Sequence, residues 1–223
     1  MLVFPYMTGP KYKAVIFDFD DTLVESRAQK WAQHKHVAKK FFNIDLTEEE
    51  ILKHWGKPIH TMAPELYQNK DVWENIYPIL TSTRGDFHKK IYEGSTPVIN
   101  KILKKGLSVG ILSSATSREI KVDLERLNLP VDKFSFVQGV EDTLVHKPDP
   151  GVFLPALEQL SKEGINKEEI VYVGDSLFDL ESAKGAGIDF IAVTTGLYSM
   201  ENFRKAGANV IIENIKEVLK EIL

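Results

Sequence analysis

Short apolar runs alternate with amphipathic helical patterns along most of this chain, and that alternation restricts the possible folds more than any other feature. The candidate strands are continuous apolar runs at 13–19, 107–113, 134–137, 170–174 and 190–194, with a short edge strand at 208–212. A continuous apolar run is typical of a strand that is covered on both faces. Strands that alternate with helices form parallel βαβ units with right-handed crossovers. The sequence therefore predicts an α/β fold built on a doubly wound parallel sheet.

The segments between these runs carry the spacing and the end signals of helices. In residues 95–106, Pro97 stands in the first helical turn and Gly106 provides the stop. Residues 117–130 place apolar side chains on one helical face and end at Pro130. These patterns are the crossover helices that a parallel sheet requires.

One segment, 25–91, departs from this alternation. It carries helical patterns and no convincing strand, and Thr47 with Glu50 forms a capping-box signature at the start of one helix. We therefore expect an α/β core made of residues 1–24 and 92–223. The segment 25–91 is expected to be an all-helical cap domain inserted after the first core strand.

Composition excludes several classes of function. The chain has no Cys, which excludes disulfides, thiolate chemistry and Cys metal sites. The 28 Lys and Arg residues are outnumbered by 32 Asp and Glu residues and form no basic block. A nucleic-acid partner is therefore not expected. Residues 1–11 lack the features of a signal peptide, and no apolar run approaches the ~18 residues of a membrane helix. We expect a cytoplasmic protein without a membrane partner, as a monomer or a homodimer.

Polar side chains follow the predicted strands at their carboxyl ends, where open α/β sheets bind ligands. These residues are Asp18 and Asp20 after the first strand, Ser113 and Ser114 after the second, Lys147 before a helix, and Asp175 and Asp179 after the fourth strand. Carboxylates this close repel one another unless a cation neutralises them. An oxygen donor set without His or Cys suits Mg²⁺, for which Asp18 and Asp175 are the best direct ligands.

The same residues suit phosphoryl transfer. Asp18 is placed to attack a phosphorus atom and form an aspartyl-phosphate, while Mg²⁺ and Lys147 stabilise the phosphoryl oxygens. Asp20, two residues further along a strand, has its side chain on the same face and is a candidate acid and base for the leaving oxygen and the attacking water. Ser113 can donate a hydrogen bond to a phosphoryl oxygen, and Ser114 can offer its backbone N–H.

Four motifs in this order resemble the haloacid dehalogenase superfamily, over essentially the whole chain. They are "DFDDT" (18–22) for the family's DxDx[TV], Ser113 after the second strand, Lys147 in "KPDP", and "GDSLFD" (174–179). The resemblance implies a Rossmann-like core, with Asp18 as nucleophile and Asp20 as acid and base that also binds the metal through its backbone carbonyl. It implies Asp175 as a metal ligand and Asp179 as a residue that acts on the metal through water, although Asp179 can instead cap its own helix. "DGT" is commoner in the family than the "DDT" found here.

The resemblance also separates the reactions of the family. Dehalogenases lack the second aspartate because no leaving oxygen needs a proton, so Asp20 argues against that branch. Phosphonatase-like members usually carry another residue there and use a cap lysine. Phosphatases and sugar-phosphate mutases remain. A mutase of this family carries an acidic residue where this chain has Gly174, and this difference favours the phosphatase.

The segment 25–91 is similar to the small helical cap of phosphoglycolate-phosphatase-like members. Within it, "WGKPIHTM" (55–62) resembles the loop that contacts substrate, which makes Lys57 a candidate substrate-binding residue. The predicted function is Mg²⁺-dependent hydrolysis of a small phosphorylated metabolite. A sugar-phosphate mutase is the alternative, and a phospho-accepting signalling module of the response-regulator kind is a remote one.

Overall fold

The computed structural model describes residues 11–55 and 57–223 of the chain. The sequence-based interpretation of residues 1–11 falls outside this range, apart from Lys11. In the part of the chain that is described, no helix combines the length and the apolar character needed to cross a membrane.

Strands and a parallel sheet follow the predicted apolar runs. In chain order the strands are β1 (Ala14–Phe17), β2 (Val24–Glu25), β3 (Lys90–Ile91), β4 (Ser108–Leu112), β5 (Phe136–Gln138), β6 (Ile170–Gly174), β7 (Asp189–Val193) and β8 (Val210–Ile212). Six of them form one sheet in the order β5-β4-β1-β6-β7-β8, and every neighbouring pair is parallel. Strand order reverses at β1, which lies between β4 and β6. The predicted doubly wound parallel sheet is confirmed.

Both faces of this sheet are covered by helices. The helices are α1 (Arg27–Phe42), α2 (Glu48–His54), α3 (Ile59–Leu66), α4 (Trp73–Thr83), α5 (Ser95–Lys104), α6 (Ser117–Arg126), α7 (Leu154–Lys162), α8 (Leu177–Ala186), α9 (Met200–Lys205) and α10 (Val218–Ile222). Helices α5, α6 and α10 pack on one face, and α7, α8 and α9 pack on the other.

Strand β1 shows why its sequence is a continuous apolar run. Val15 and Phe17 belong to the apolar cluster on one face, and Ala14 and Ile16 belong to the cluster on the other. Successive side chains of a strand point to opposite faces, so a strand between two helical layers needs an apolar residue at every position.

Helices α1 to α4 lie outside the sheet and enclose an apolar cluster of their own. Its buried members include Val37, Ile51, Tyr67 and Ile76. The predicted capping box is present at the start of α2, where the Thr47 side chain accepts from the backbone N–H of Glu50 and the Glu50 carboxylate accepts from that of Thr47. Helices α1 to α4 therefore all fall within the segment 25–91.

The two connections to this helical segment are joined by a short antiparallel ribbon. Val24 pairs with Ile91, and Glu25 pairs with Lys90. The sequence pattern predicts no strand between Glu25 and Tyr92 and misses this ribbon, because two residues per strand are too few to produce a period. The ribbon holds the outgoing and returning chains side by side at the edge of the insert.

Candidate active site

One cavity of about 840 Å³ is lined by every site residue that the sequence singles out. These residues are Asp18, Asp20, Lys57, Ser113, Ser114, Lys147, Asp175 and Asp179. The core contributes the ends of β1, β4 and β6, which is where the reversal of strand order creates a crevice. The helical segment contributes apolar side chains to the same cavity, among them Trp55, Trp73 and Tyr77.

Asp18 directly follows β1 and is buried. Its backbone N–H donates to the carbonyl of Val173 over 2.8 Å, which continues the pairing of β1 with β6. The Lys147 ammonium lies 2.8 Å from Asp18 Oδ1. Burial raises the pKa of Asp18 to about 7, against the opposing charge of Lys147 and with the help of the neighbouring Asp179 carboxylate. The carboxylate therefore sits where negative charge is costly unless further positive charge is supplied.

Asp179 is held by hydrogen bonds to both of its oxygens. Oδ1 accepts from the Tyr172 hydroxyl over 2.7 Å and lies 2.6 Å from the Lys147 ammonium. Oδ2 accepts from the backbone N–H and the hydroxyl of Ser176 in a capping box at the start of α8. Asp179 therefore caps its own helix and also fixes the position of Lys147 beside Asp18.

Three carboxylates converge into a group that can hold a cation. Asp18, Asp175 and Asp179 each offer one oxygen, and these oxygens all lie within 4.8 Å of one another. Burial raises the pKa of Asp175 well above its usual value, and the Asp18 and Asp179 charges raise it further. The Thr22 hydroxyl orients this carboxylate by donating to Asp175 Oδ1 over 3.1 Å. Lys147 compensates only one of these three carboxylates, and an all-oxygen set with excess negative charge fits Mg²⁺.

Asp20 lies beyond the end of β1, in an isolated bridge with Val24. The prediction that Asp18 and Asp20 share one face of a strand is wrong, because β1 ends at Phe17 and neither residue belongs to it. Its carboxylate is paired with the ammonium groups of Lys30 and, at 2.9 Å, Lys89. Burial raises the pKa of Asp20, but these two cations outweigh burial and hold the pKa well below its usual range.

Asp21 explains the departure from the commoner "DGT" motif. Its φ of 56° lies in the left-handed region, which Gly adopts freely and Asp tolerates better than most residues. Its Oδ1 accepts from the backbone N–H groups of Ser26 and Arg27 over 3.0 Å each. Asp21 therefore caps the start of α1, which a glycine could not do.

The remaining predicted residues occupy different surroundings within the cavity. Ser113 is buried after β4, and its Oγ accepts from the backbone N–H of Ala115 over 3.3 Å. Ser114 is partly buried beside it. The Lys57 ammonium is paired with the Glu65 carboxylate of α3. Gly56, which precedes Lys57 in the predicted substrate loop, lies outside the described residues.

Sequence reasoning missed the cations that surround Asp20. Lys30 comes from α1, and Lys89 directly precedes β3. The Lys89 ammonium also lies 3.0 Å from Asp123 Oδ2 of α6. The Arg126 guanidinium donates to the backbone carbonyl of Lys89 over 2.8 Å. No motif or periodicity marks these residues, since their proximity arises only when the insert and α6 meet.

A family model described as haloacid dehalogenase-like hydrolase matches residues 15–193 of the chain. The chain belongs to that family. Among its relatives in the haloacid dehalogenase-like family is a Caldanaerobacter subterraneus protein provisionally named pyrophosphatase PpaX, 29% identical over 216 residues and covering 95% of both chains. A Yersinia pseudotuberculosis protein named phosphoglycolate phosphatase is 26% identical over 228 residues, again covering 95% of both.

Solved structures agree with this membership of the haloacid dehalogenase-like family. A Thermotoga maritima structure provisionally named β-phosphoglucomutase superposes with a TM-score of 0.75 at 26% identity, covering 95% of this chain and 100% of that one. The family resemblance and the α/β fold expected from the four motifs are confirmed.

Proposed function

We propose that this chain is a Mg²⁺-dependent phosphatase that hydrolyses a small phosphomonoester through an aspartyl-phosphate on Asp18. The observation that carries the proposal is the buried pairing of Asp18 with Lys147, beside the carboxylate of Asp175, in one cavity. The names of the relatives, a pyrophosphatase and a phosphoglycolate phosphatase, support a small phosphorylated substrate.

The phosphoryl group is proposed to bind between the core strands and Lys147. Lys147 offers a buried positive charge, and Asp179 keeps its ammonium 2.8 Å from Asp18 Oδ1. Ser113 and Ser114 follow β4 and offer donors to the same group. Mg²⁺ held by Asp18 and Asp175 would supply the further positive charge that lets two anions approach each other.

Asp18 acts as the nucleophile in this proposal. One of its carboxylate oxygens bonds to phosphorus while the bond from phosphorus to the ester oxygen breaks. Asp20 gives its proton to that oxygen, and it then takes a proton from the water that attacks phosphorus and releases Asp18 and phosphate. The charge of the entering phosphoryl group raises the proton affinity of Asp20, which Lys30 and Lys89 otherwise keep ionised.

We infer that residues 25–91 act as a cap over this site. Trp55, Trp73 and Tyr77 from this segment line the same cavity as the core carboxylates. Closure of the segment over a substrate would exclude water from the aspartyl-phosphate until the leaving group has departed. Lys57 stays a predicted substrate contact, for which it must leave Glu65.

A sugar-phosphate mutase is the second candidate, and the name of the Thermotoga maritima structure favours it. Gly174 argues against it. A Cβ atom at this position would lie 2.7 Å from Cβ and Cγ of Asp179, so the acidic residue found there in a mutase does not fit this arrangement. Membership of a hydrolase family gives no support to the signalling module.

Phosphate release from a panel of phosphate esters and one anhydride tests the proposal. Phosphoglycolate, pyrophosphate, sugar phosphates and p-nitrophenyl phosphate are assayed with Mg²⁺ and with EDTA, using the wild type and Asp18→Asn. We expect Mg²⁺-dependent release that Asp18→Asn abolishes. Asp21→Asn is the matched control, since it keeps the Oδ1 acceptor at the start of α1 and should keep wild-type turnover.

Two outcomes would contradict the proposal. Wild-type turnover by Asp18→Asn would exclude the aspartyl-phosphate. Conversion of a sugar phosphate into its isomer, with little free phosphate, would identify the mutase instead.

A further inference from the structure

Lys89 is a buried lysine whose part in the proposed chemistry is so far only its charge beside Asp20. Its side chain is 6% exposed, and it directly precedes β3, where the chain returns from the helical segment. Its Nζ lies 2.9 Å from Asp20 Oδ1 and 3.0 Å from Asp123 Oδ2. A single buried ammonium therefore joins the candidate acid and base to helix α6.

Lys89 is fixed by contacts that do not depend on Asp20. The Arg126 guanidinium donates to its backbone carbonyl over 2.8 Å and lies 3.3 Å from Asp123 Oδ1. The Arg84 guanidinium lies 3.3 Å from Asp123 Oδ2. Because α6 holds both the backbone and the side chain of Lys89, its ammonium is already in place for Asp20.

Two cations meet Asp20, and they differ in how firmly they are held. Lys30 belongs to α1 of the helical segment, and its side chain is 29% exposed. Lys89 is buried, and its ammonium packs over the Phe19 ring at 5.1 Å from the ring centre. Asp20 Oδ2 accepts a hydrogen bond from Lys30, whereas Oδ1 meets Lys89 as an ion pair at 2.9 Å. Lys89 is thus the cation that joins the Asp20 carboxylate to the core through charge.

We propose that Lys89 is a positioning residue that holds the Asp20 carboxylate in the orientation from which it exchanges a proton with the leaving oxygen. Asp123 supports it by fixing the ammonium from the opposite side. The proposal rests on the proposed function, since it takes Asp20 as the acid and base.

The dependence of rate on the leaving group tests this role. Donation of a proton matters most for a basic leaving oxygen, such as that of an alkyl phosphate, and little for p-nitrophenyl phosphate. The value of kcat/KM reports the steps up to loss of the leaving group, so it is measured for p-nitrophenyl phosphate and for the alkyl phosphate that the wild type cleaves fastest. A loss of general acid–base catalysis costs about 10²-fold or more.

Lys89→Met removes the charge and keeps an unbranched apolar side chain of similar length. We expect kcat/KM for the alkyl phosphate to fall about 10²-fold, and that for p-nitrophenyl phosphate to fall by less than about 3-fold. Asp20 keeps Lys30 as a partner and Asp123 keeps Arg84 and Arg126, so neither buried carboxylate is left alone. Equal losses for the two esters would overturn the proposal.

Asp123→Asn provides a second variant that does not touch Asp20. It removes the charge that fixes Lys89 from behind, and we expect a smaller loss, of about 10-fold, again confined to the alkyl ester. Lys13→Met is the matched control, because Lys13 is exposed and pairs only with Glu169 at the surface among the described residues. It should leave both esters unchanged, and an Asp123→Asn variant that behaves like Lys13→Met would count against the proposal.

Asp20→Asn separates the failure of this proposal from that of the proposed function. If Lys89 acts through Asp20, Lys89→Met has no further effect on the alkyl ester in the Asp20→Asn background. If Asp20→Asn lowers kcat/KM equally for the two esters, the acid role of Asp20 is overturned, and the role of Lys89 with it. A selective loss in Asp20→Asn without one in Lys89→Met would overturn the role of Lys89 alone.

Discussion

Removal of divalent cations is predicted to make the stability of this protein depend on the charge of Asp18. Asp18 is buried beside Asp175 and Asp179, and Lys147 is the cation closest to its carboxylate among the described contacts. Burial raises the pKa of Asp18 from 3.8 to about 7 in the folded, metal-free chain. The ionised carboxylate is therefore less favourable in the fold than in water.

The sign and size of the effect follow from this pKa. Well below pH 3.8 the carboxyl group is protonated in both folded and unfolded chains, so its contribution is fully present there. As the pH rises towards 7, the unfolded chain has released the proton while the folded chain still holds it, and the free energy of unfolding falls by about 1.4 kcal/mol per pH unit. Between pH 5 and pH 7 this amounts to about 2 kcal/mol, because the folded chain itself releases half of the proton by pH 7.

Urea unfolding of the wild type and of Asp18→Asn measures this pH-dependent contribution of Asp18 to the free energy of unfolding. In EDTA, the free energy of unfolding of Asp18→Asn relative to the wild type should increase by about 2 kcal/mol between pH 5 and pH 7, because asparagine does not titrate. Added Mg²⁺ should remove most of the difference by stabilising the ionised wild type, with a larger gain at pH 8 than at pH 5. A wild type that gains stability relative to Asp18→Asn over this range in EDTA would refute the reasoning.

Three further substitutions test other contacts of the structure. Lys147→Met leaves two buried carboxylates without their shared cation, so urea unfolding at neutral pH should report a loss of about 3–5 kcal/mol, and wild-type stability would contradict the buried pairing. Gly196→Ala would place a Cβ atom 1.9 Å from Asp175 Oδ2, so the Mg²⁺ concentration for half-maximal activity should rise about 10- to 100-fold, and an unchanged value would exclude Asp175 as a ligand. Thr47→Ala removes the N-cap of α2, so thermal unfolding should show a loss of about 1 kcal/mol in stability, with kcat for p-nitrophenyl phosphate unchanged. A fall in kcat would contradict a purely structural role of Thr47.

The sequence by itself determined the sheet and the positions of the four motifs. Strand β1 carries this information locally, because a strand between two helical layers needs apolar residues on both faces. Asp18, Ser113 and Asp175 could be placed in one crevice, since the ends of parallel strands on either side of a reversal in strand order meet at one edge of the sheet. The sequence left two roles open for Asp179, one on the metal through water and one as a helix cap. In the structure Asp179 caps its own helix and pairs with Lys147.

Only the tertiary structure decided what surrounds Asp20. Lys30 reaches it from α1, and Lys89 reaches it from the segment before β3, while Asp123 holds Lys89 from α6. A sequence pattern records the period of one helix or strand, and it carries no mark of an ion pair between elements that meet through packing. The charges that set the proton affinity of Asp20 are therefore a property of how the helical segment docks on the core.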